Sequence, residues 1–494
     1  MLTRKQTRIF WIILILQLLL LLIFVFFRLI DYDEGSYLSA ARLVKQGNLP
    51  YLDFFYPQMP YLPYAYSLVS QCGFSSLFYR RLISAMAGLF LSILVFWFVY
   101  RFSGDAKLSL FLFFLYSFNG LTINWHSVVK TLVFSDLFAF ISFFFFASYL
   151  LSKEKDGYLK ILLSGFFIGI SFNFRLTFLF LLLLEGIMIF LLTSYQRIKK
   201  KTMDLVLLFS GAILSSPLAI YLFFKNPPAF VFGNIGYHQV WGLKAVKMTL
   251  WTKMFTLSKF LLYPQDLFIL ILAVISTIWL VQSLGKTKRL GSEDKIVIFT
   301  SSISLMIVFV CFFMTPTQFQ YYEQAIPYIL ISSIPALSKF KARWTDRKTL
   351  APAISMFYLL FLVPFLIIFL FISREKDEPY GIRQVKKVTE VVEENSRPGE
   401  MILCGWPAYV VLSNRETVPG LGTWGWEIIP FLSSELKRNF KLIDSLGVKR
   451  VILKKKASLI VEEQWFLSNF EDLIKANYRL INTTQFTKIY VREN

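Results

Sequence analysis

The sequence predicts a polytopic α-helical membrane protein with a small α/β domain at its C-terminal end. Three observations support this prediction: 56% of the 494 residues are hydrophobic, only 17% are charged, and the 54 Phe residues fall largely in long apolar runs. Soluble globular domains are about 45–50% apolar and about 25% charged. This composition excludes a soluble enzyme and a disordered chain, and three cysteines are too few for a disulfide scaffold.

Apolar runs that cross the hydrocarbon layer of ~30 Å need about 20 residues each. We predict eleven spans, at 9–30, 82–100, 108–123, 132–151, 161–174, 176–193, 205–224, 266–284, 296–313, 323–337 and 350–372. The stretch 161–193 is too long for one crossing, and both of its flanks are basic. We therefore expect a helical hairpin there, with Arg175 near its outer tip.

The distribution of basic residues predicts the orientation. Of the 52 Lys and Arg residues, 21 lie in the N-terminal segment and in alternate short loops, whereas the opposite side of the membrane region holds 12. Cytoplasmic loops carry such an excess. The N-terminus is therefore predicted to be cytoplasmic and the C-terminal domain extracytoplasmic, in a multi-pass cell (inner) membrane protein. The net charge of +21 then reflects topology and contact with membrane lipids, and it does not indicate nucleic acid.

The chain divides at a change of composition into a membrane domain, 1–372, and a soluble extracytoplasmic domain, 373–494. The membrane domain has two long outer loops, at 31–81 and 225–265. The tail alternates helical with strand-like patterns, and this alternation predicts a small α/β domain. The expected helices lie near 382–395 and 433–446, and the expected strands at Glu400–Cys404, Arg450–Leu453 and Phe486–Arg492.

The first outer loop carries the residues that suggest chemistry. It begins Asp31-Tyr32-Asp33-Glu34-Gly35-Ser36-Tyr37, so that three acids follow closely on a membrane exit. A surface helix should follow and end near Gly47. A carboxylate at its start could take a proton from a hydroxyl group that attacks a lipid-linked electrophile. The same positions suit a helix cap, with Asp33 as N-cap and Glu34 in the first turn, and the two roles are compatible.

Few cations are placed to bind a phosphate group. Arg175 lies between two apolar arms, where a charge is costly and suggests a function, although a side chain that snorkels to the interface explains it equally well. Lys130 and His126 lie at the outer end of a span and could bind phosphate or anchor the helix. The second long loop adds His238, Lys244 and Lys247 as candidates for lid or headgroup contacts.

Three acids within apolar segments should face the protein interior, because a charge in lipid is costly. Asp136 could orient Lys130 or line the cavity, and Glu185 could pair with Arg175. Glu323 lies beside Tyr321 and Tyr322 at an outer membrane edge. A structural ion pair is an equally open interpretation of each acid. No cofactor is predicted, since two His residues make a His-based metal site unexpected, while a carboxylate-bound divalent ion stays open.

Residues 31–66 resemble the first outer loop of the C-type (GT-C) polytopic glycosyltransferases. Within that superfamily the resemblance is to the relatives of protein O-mannosyltransferases and aminoarabinose transferases. It rests on Asp33-Glu34-Gly35-x-Tyr37, Gly47-x-x-Pro50-Tyr51-x-Asp53-Phe54 and Tyr56-Pro57-Gln58-Met59-Pro60. A later segment, 320–327, is similar to the family's tyrosine- and proline-bearing entry to a late span. The span number and the outer α/β domain also fit this family.

The resemblance implies an inverting glycosyltransferase with a polyprenyl-phosphate sugar donor. Asp33, with Glu34 next, would be the catalytic base for an acceptor hydroxyl of a lipid-linked glycan, a lipopolysaccharide or a protein. Some relatives have Lys where this chain has Gln58, so the leaving phosphate needs another cation. The predicted substrate- and phosphate-binding residues are Arg175, Lys130, His126, Tyr37, Asp53, Gln58, Tyr321, Tyr322 and Glu323.

Two other functions stay open. A lipid-linked sugar transporter or flippase should show inverted repeats and charges near the bilayer midplane in both halves of the chain. A membrane-anchored assembly protein could act through its C-terminal domain alone. The acids cluster at one outer edge, which favours the enzyme over the transporter, and the assembly protein would leave the acidic first loop unexplained.

Overall fold

The computed structural model describes residues 2–151, 157–193, 198–242, 247–287, 290–344, 350–371, 380–420, 423, 432, 437, 445–454, 456–463 and 467–492. In these ranges the chain is mainly helical, and one small β-sheet lies in its C-terminal part. The predicted fold class, a helical membrane protein followed by an α/β unit, is confirmed.

The described helices follow one another from the N-terminus to the tail. They are α1 (Arg4–Phe27), α2 (Tyr32–Lys45), α3 (Tyr61–Ser67), α4 (Ser75–Ser103), α5 (Ala106–Ser117), α6 (Gly120–His126), α7 (Leu132–Leu150), α8 (Gly157–Phe174), α9 (Leu179–Leu192), α10 (Ile198–Leu214), α11 (Pro217–Lys225), α12 (Pro227–Val231), α13 (Tyr237–Val240), α14 (Leu250–Leu262), α15 (Pro264–Thr287), α16 (Ser292–Phe313), α17 (Ile326–Ser332), α18 (Ile334–Trp344), α19 (Leu350–Leu360), α20 (Val363–Leu366), α21 (Ile382–Glu394), α22 (Pro407–Leu412), α23 (Ser445–Leu453) and α24 (Glu471–Lys475). Short 3-10 helices lie at Leu176–Phe178, Phe319–Ala325 and Leu467–Phe470, and π-helical turns at Phe232–Gly236 and Ile367–Phe371.

Six of these helices are long and apolar enough to cross a membrane: α1, α4, α7, α8, α15 and α16. Two bent pairs, α5 with α6 and α10 with α11, raise the number among the described residues to at most eight. The predicted spans 323–337 and 350–372 are each divided into shorter helices, with Pro335 and Pro364 at the start of the second helix. Proline removes a backbone donor and clashes with the preceding turn. A total of eleven crossings therefore stays a prediction.

The long apolar stretch around Arg175 forms two helices, as predicted. Helix α8 ends at Phe174, and the 3-10 turn that follows Arg175 leads into α9. Helix α8 packs closely on α10, because a methyl group on Gly165 would lie only 1.9 Å from the carbonyl oxygen of Leu208. Small residues allow such close contact between membrane helices. Near the end of α8, Asn173 also donates to Oγ of Ser216 at 2.7 Å, and these contacts hold the part of the helix that precedes Arg175.

The C-terminal sheet is mixed. Its strands are β1 (Met401–Cys404), β2 (Glu416–Thr417), β3 (Leu459–Glu463), β4 (Tyr478–Thr483) and β5 (Thr487–Arg492), in the order β2-β1-β3-β5-β4. Strand β1 is parallel to β2 and β3, whereas β5 is antiparallel to β3 and β4. The sheet contains the two predicted strands that end at Cys404 and Arg492, and α21 coincides with the first predicted helix of the tail.

One predicted strand of the tail is wrong. Arg450–Leu453 belongs to helix α23, and the strand of this region comes later, as β3. The reason is the spacing of the buried side chains Val448, Val451 and Ile452, which share one helical face at i, i+3 and i+4. Most of the predicted helix near 433–446 lies outside the described residues.

Candidate active site

Helix α2 begins at Tyr32 because Asp31 caps it. The Asp31 carboxylate accepts a hydrogen bond from the backbone N–H of Asp33 at 3.0 Å, and the Glu34 carboxylate accepts one from the N–H of Asp31 at 2.8 Å. This is a reciprocal capping box. The prediction that Asp33 is the N-cap is therefore wrong, and Asp33 lies in the first turn. The helix ends at Lys45, close to Gly47 with its φ of 89°, as predicted.

The Glu34 carboxylate is buried and holds several elements together. Arg81 of α4 donates to Oε1 through Nε at 2.8 Å and to Oε2 through Nη2 at 2.5 Å. The N–H of Val129 also donates to Oε1, at 2.8 Å, and Oε2 accepts the cap bond from Asp31. A carboxylate has about four acceptor sites, so all of them are taken. This geometry favours a structural role for Glu34.

Arg81 also fixes the end of α1. Its guanidinium donates to the carbonyl oxygens of Val25, Arg28 and Leu29 at 2.9–3.1 Å. Charged hydrogen bonds of this kind are among the strongest in proteins. No local sequence pattern indicates this role, because Arg81 and its partner Glu34 lie 47 positions apart. The pair Arg81–Glu34 thereby joins α1, α2, α4 and the segment that precedes Lys130.

Lys130 links the two aspartates of the loop. Its Nζ lies 2.9 Å from Oδ1 of Asp31 and 3.1 Å from Oδ2 of Asp33, and it is 4.8 Å from the centre of the Trp125 ring. Burial raises the pKa of the Asp31 carboxyl, but Lys130 and Arg28 outweigh burial and hold that pKa below its usual value. Burial likewise lowers the pKa of Lys130, and the two aspartates raise it above its usual range.

Accessibility distinguishes the three acids. The side chain of Asp33 is 38% exposed, compared with 17% for Asp31 and 0% for Glu34. A general base must reach the proton that it accepts. Asp33 is therefore the acid best placed to meet an acceptor, with Lys130 as its ion-pair partner.

Arg175 lies at the break between α8 and α9, close to the residues that surround Lys130. Its guanidinium lies 4.2 Å from the centre of the Tyr321 ring, and Nη1 donates to Oγ1 of Thr131 at 3.5 Å. Arg175 is buried, and among the described residues its Nε has no hydrogen-bond partner. A buried donor without a partner is costly, and a bound anion would satisfy it.

Two tyrosines connect Arg175 with the first loop. Burial raises the pKa of the Tyr321 hydroxyl, while the nearby positive charges of Arg175 and Lys130 oppose this shift. Burial also raises the pKa of Tyr37. The negative charge of Asp33 raises this pKa further, and the positive charge of Arg175 opposes the increase. Both phenols are therefore neutral, and both lie within electrostatic reach of Asp33 and Arg175.

His126, Asp136 and Glu323 form a second, buried cluster. Nε2 of His126 lies 3.1 Å from Oε2 of Glu323 and 4.0 Å from Oδ2 of Asp136. His126 thus contacts acids, whereas a phosphate-binding histidine was expected. Lys130 is held by the first-loop aspartates and not by Asp136.

Other predicted residues make contacts of their own. Glu185 accepts hydrogen bonds from Ser142 and Ser164, each at 2.9 Å, so the predicted pair with Arg175 is wrong. The Asp53 carboxylate accepts from the N–H of Leu49 at 2.9 Å and closes a turn. Tyr322 stacks on Phe260, Tyr51 donates to the backbone oxygen of Gln58, and Gln58 Oε1 is buried without a described partner.

The second long loop contacts the first through His238. Its Nε2 lies 2.8 Å from the carbonyl oxygen of Pro57, and it therefore holds the proline-bearing stretch. Lys247 is exposed, and Lys244 lies outside the described residues.

The C-terminal part packs directly on the start of α2. The indole N–H of Trp406 donates to the carbonyl oxygen of Tyr32 at 2.8 Å, and the two rings are stacked. A methyl group on Gly35 would lie 2.6 Å from Cβ of Ala408 and 2.9 Å from Nε1 of Trp406. Only glycine fits there without displacing a neighbour. Arg42 adds a 2.5 Å ion pair with Glu416.

No protein-family model matches the sequence, and no curated protein matches it. Solved structures, in contrast, share its fold. The crystal structure of ArnT from Cupriavidus metallidurans bound to undecaprenyl phosphate has a TM-score of 0.68 at 12% identity, over 98% of this chain and 97% of that chain.

The oligosaccharyltransferase of Archaeoglobus fulgidus is also similar. Its complex with zinc and sulfate has a TM-score of 0.52 at 13% identity, over 97% of this chain and 73% of that chain. Its complex with an inhibitory peptide and a dolichol-phosphate gives 0.52 at 11% identity, over 98% and 74%. Identities this low establish the fold alone. The chain has the fold of the GT-C glycosyltransferases, as its first loop predicted.

Proposed function

We propose that this chain is an inverting glycosyltransferase that moves a sugar from a polyprenyl-phosphate donor to a hydroxyl acceptor at the extracytoplasmic face of the membrane. One observation carries the proposal: the partly exposed Asp33 carboxylate is held by Lys130 and lies near the buried Arg175 guanidinium, in a chain with the GT-C fold. The similar structures bind undecaprenyl phosphate or dolichol-phosphate. Such a donor suits a helical membrane protein.

Asp33 is the base in this proposal. Its carboxylate accepts the proton of the acceptor hydroxyl while the oxygen attacks the anomeric carbon from the face opposite the phosphate. The bond between the anomeric carbon and the phosphate oxygen breaks, and its electron pair leaves with polyprenyl phosphate. The configuration of the sugar is therefore inverted.

Arg175 and Lys130 stabilise the leaving phosphate. The Arg175 guanidinium has a buried N–H without a described partner, and Lys130 carries a charge that its two aspartate neighbours maintain. Cations fixed in a site of low dielectric stabilise charge that develops in the transition state. Tyr37 and Tyr321 are neutral phenols beside these cations and can donate hydrogen bonds to sugar or phosphate oxygens.

An apolar groove between α14 and α16 is the proposed place of the polyprenyl tail. It has a volume of about 510 Å³ and is lined by Leu257, Leu305, Met306, Val308, Phe309 and Phe312. Both helices contact the 3-10 helix that carries Tyr321: Phe260 of α14 stacks on Tyr322, and Cys311 of α16 donates to the carbonyl oxygen of Tyr321 at 3.4 Å. A chain in this groove therefore leads toward Arg175.

The experiment that tests the proposal offers the purified full chain in lipid a panel of polyprenyl-phosphate sugars with crude membrane acceptors. Mass spectrometry follows donor loss for the wild type, for Asp33→Asn and for the matched control Glu390→Gln. Glu390 is an exposed acid on α21 that lies 3.7 Å from Lys386. We expect transfer by the wild type and the control, and a decrease by a factor of about 10² or more in Asp33→Asn.

Two results would contradict the proposal. If Asp33→Asn transfers the sugar as fast as Glu390→Gln, then Asp33 is not the base. If unmodified donor appears on the opposite leaflet and is never consumed, the chain is a transporter.

A further inference from the structure

We propose that His126, Asp136 and Glu323 form a binding site for one divalent transition-metal ion, zinc or manganese. The site is separate from the Asp33–Lys130 pair, and it does not depend on the proposed glycosyl transfer. Its ligands come from three elements: the end of α6, the first turns of α7, and the 3-10 helix at Phe319–Ala325.

The distances suit a shared ion. One ligand atom from each of the three side chains lies within 4.8 Å of the others, and Nε2 of His126 is 3.1 Å from Glu323 and 4.0 Å from Asp136. Ligand atoms bound to zinc at about 2.0–2.2 Å lie roughly 3–4 Å apart. A closure of less than about 1 Å would bring all three to bonding distance.

The carboxylates need a cation or a proton. Asp136 and Glu323 are 4% and 1% exposed and lie within hydrogen-bond reach of each other, and three of their four oxygens receive no hydrogen bond from any other described donor. Two adjacent carboxylates cannot both be ionised at low cost, so they share a proton or enclose a cation. Arg175 is nearby, but its contacts are with Thr131 and the Tyr321 ring.

The donor set selects the class of metal. One imidazole nitrogen and two carboxylate oxygens suit zinc and manganese, whereas magnesium and calcium prefer oxygen ligands alone. Three protein ligands leave further positions for water or a substrate oxygen. The imidazole is also held in place, because a methyl group on Gly88 of α4 would lie 2.7 Å from Cβ and Nδ1 of His126. Fixed ligand orientation favours metal binding.

The test measures metal content in the full chain without an affinity tag. The purified protein is stripped with a chelator and then dialysed against zinc or manganese chloride, and bound metal is counted by mass spectrometry. We compare the wild type with His126→Gln, Asp136→Asn and Glu323→Gln. Two matched controls are His238→Gln, the other histidine, and Glu185→Gln, a buried acid bonded to two serines.

We expect about one ion per chain in the wild type and in both controls, and an affinity at least about tenfold lower in each ligand variant. X-ray absorption of the loaded wild type should show a shell of nitrogen and oxygen with imidazole scattering, and this measurement does not require any variant to fold. Three results would contradict the site: the wild type binds no ion, its spectrum shows no imidazole, or the controls lose as much metal affinity as the ligand variants. Each would mean that the carboxyls share only a proton.

Discussion

At the scale of single residues, neighbouring acids of one sequence motif are assigned different roles by their hydrogen bonds. Asp31 caps α2 and holds Lys130, Glu34 receives four hydrogen bonds, and Asp33 alone of the three is more than a third exposed. The catalytic proposal therefore concerns Asp33, and the other two acids are expected to affect stability first. Each expectation can be tested by removing one charge.

Glu34→Gln should destabilise the protein strongly. The substitution leaves the buried Arg81 guanidinium without its counter-charge, and breaking a buried ion pair by removing one partner costs about 3–5 kcal/mol. Thermal unfolding in detergent should show a large decrease in Tm for Glu34→Gln and little change for Asp33→Asn. A Glu34→Gln protein as stable as the wild type, yet inactive, would instead make Glu34 a catalytic residue.

Asp31 should make the folded protein less stable as the pH becomes acidic. Burial raises the pKa of Asp31, but Lys130 and Arg28 outweigh burial and hold this pKa in the folded protein below its ordinary value of about 3.9. The unfolded chain therefore binds the proton more readily, so the stabilisation is complete above about pH 4 and is lost as pH falls through the lower, folded pKa. Asp31→Asn should lower Tm at pH 7 and reduce the decrease in Tm below pH 4. Parallel Tm curves for both proteins would contradict this assignment.

At the scale of elements, the C-terminal part is a neighbour of the proposed site. Trp406 and Ala408 contact the first turns of α2, where Gly35 leaves no room for a side chain. The glycine of the first-loop motif thus has a physical explanation in this chain: it permits close approach of the tail. The contact lets the tail set the position of Asp33, two residues earlier.

Gly35→Ala should separate the tail from α2, because the new methyl group meets Ala408 at 2.6 Å. We expect faster limited proteolysis between the membrane region and the tail, and lower transfer activity. The matched control is Gly186→Ala in α9, where the new methyl group would meet only a flexible leucine side chain at 3.3 Å. Equal protease resistance of the two variants would show that the tail contact does not depend on Gly35.

At the scale of the whole molecule, the proposed site is assembled from distant segments. The first loop, the α6–α7 corner, the break at Arg175 and the 3-10 helix before α17 meet there. The sequence predicted the fold class, the break at Arg175 and the acidic loop, because the length of the hydrophobic runs and the local charge indicate these features directly. The first-loop motif also predicted the GT-C fold, through its resemblance to that family.

Long-range pairing could not be predicted in the same way. The pair Glu34–Arg81 and the approach of Trp406 to Tyr32 join residues far apart in the sequence. His126 and Asp136 are ten positions apart, His126 in the gap between the predicted spans 108–123 and 132–151 and Asp136 inside the second span, and no local pattern indicates that they meet. The chain instead leaves helix at Ser127 and re-enters it at Leu132, and this corner brings both residues to Glu323.

The central claim is that Asp33 takes the proton from the acceptor hydroxyl. The most direct measurement is the single-turnover rate of sugar transfer at saturating donor, with donor affinity determined separately, for the wild type and Asp33→Asn. Removal of a general base slows the chemical step by about 10²-fold or more while the substrate still binds. We predict that decrease with donor affinity little changed. An unchanged single-turnover rate in Asp33→Asn would contradict the account.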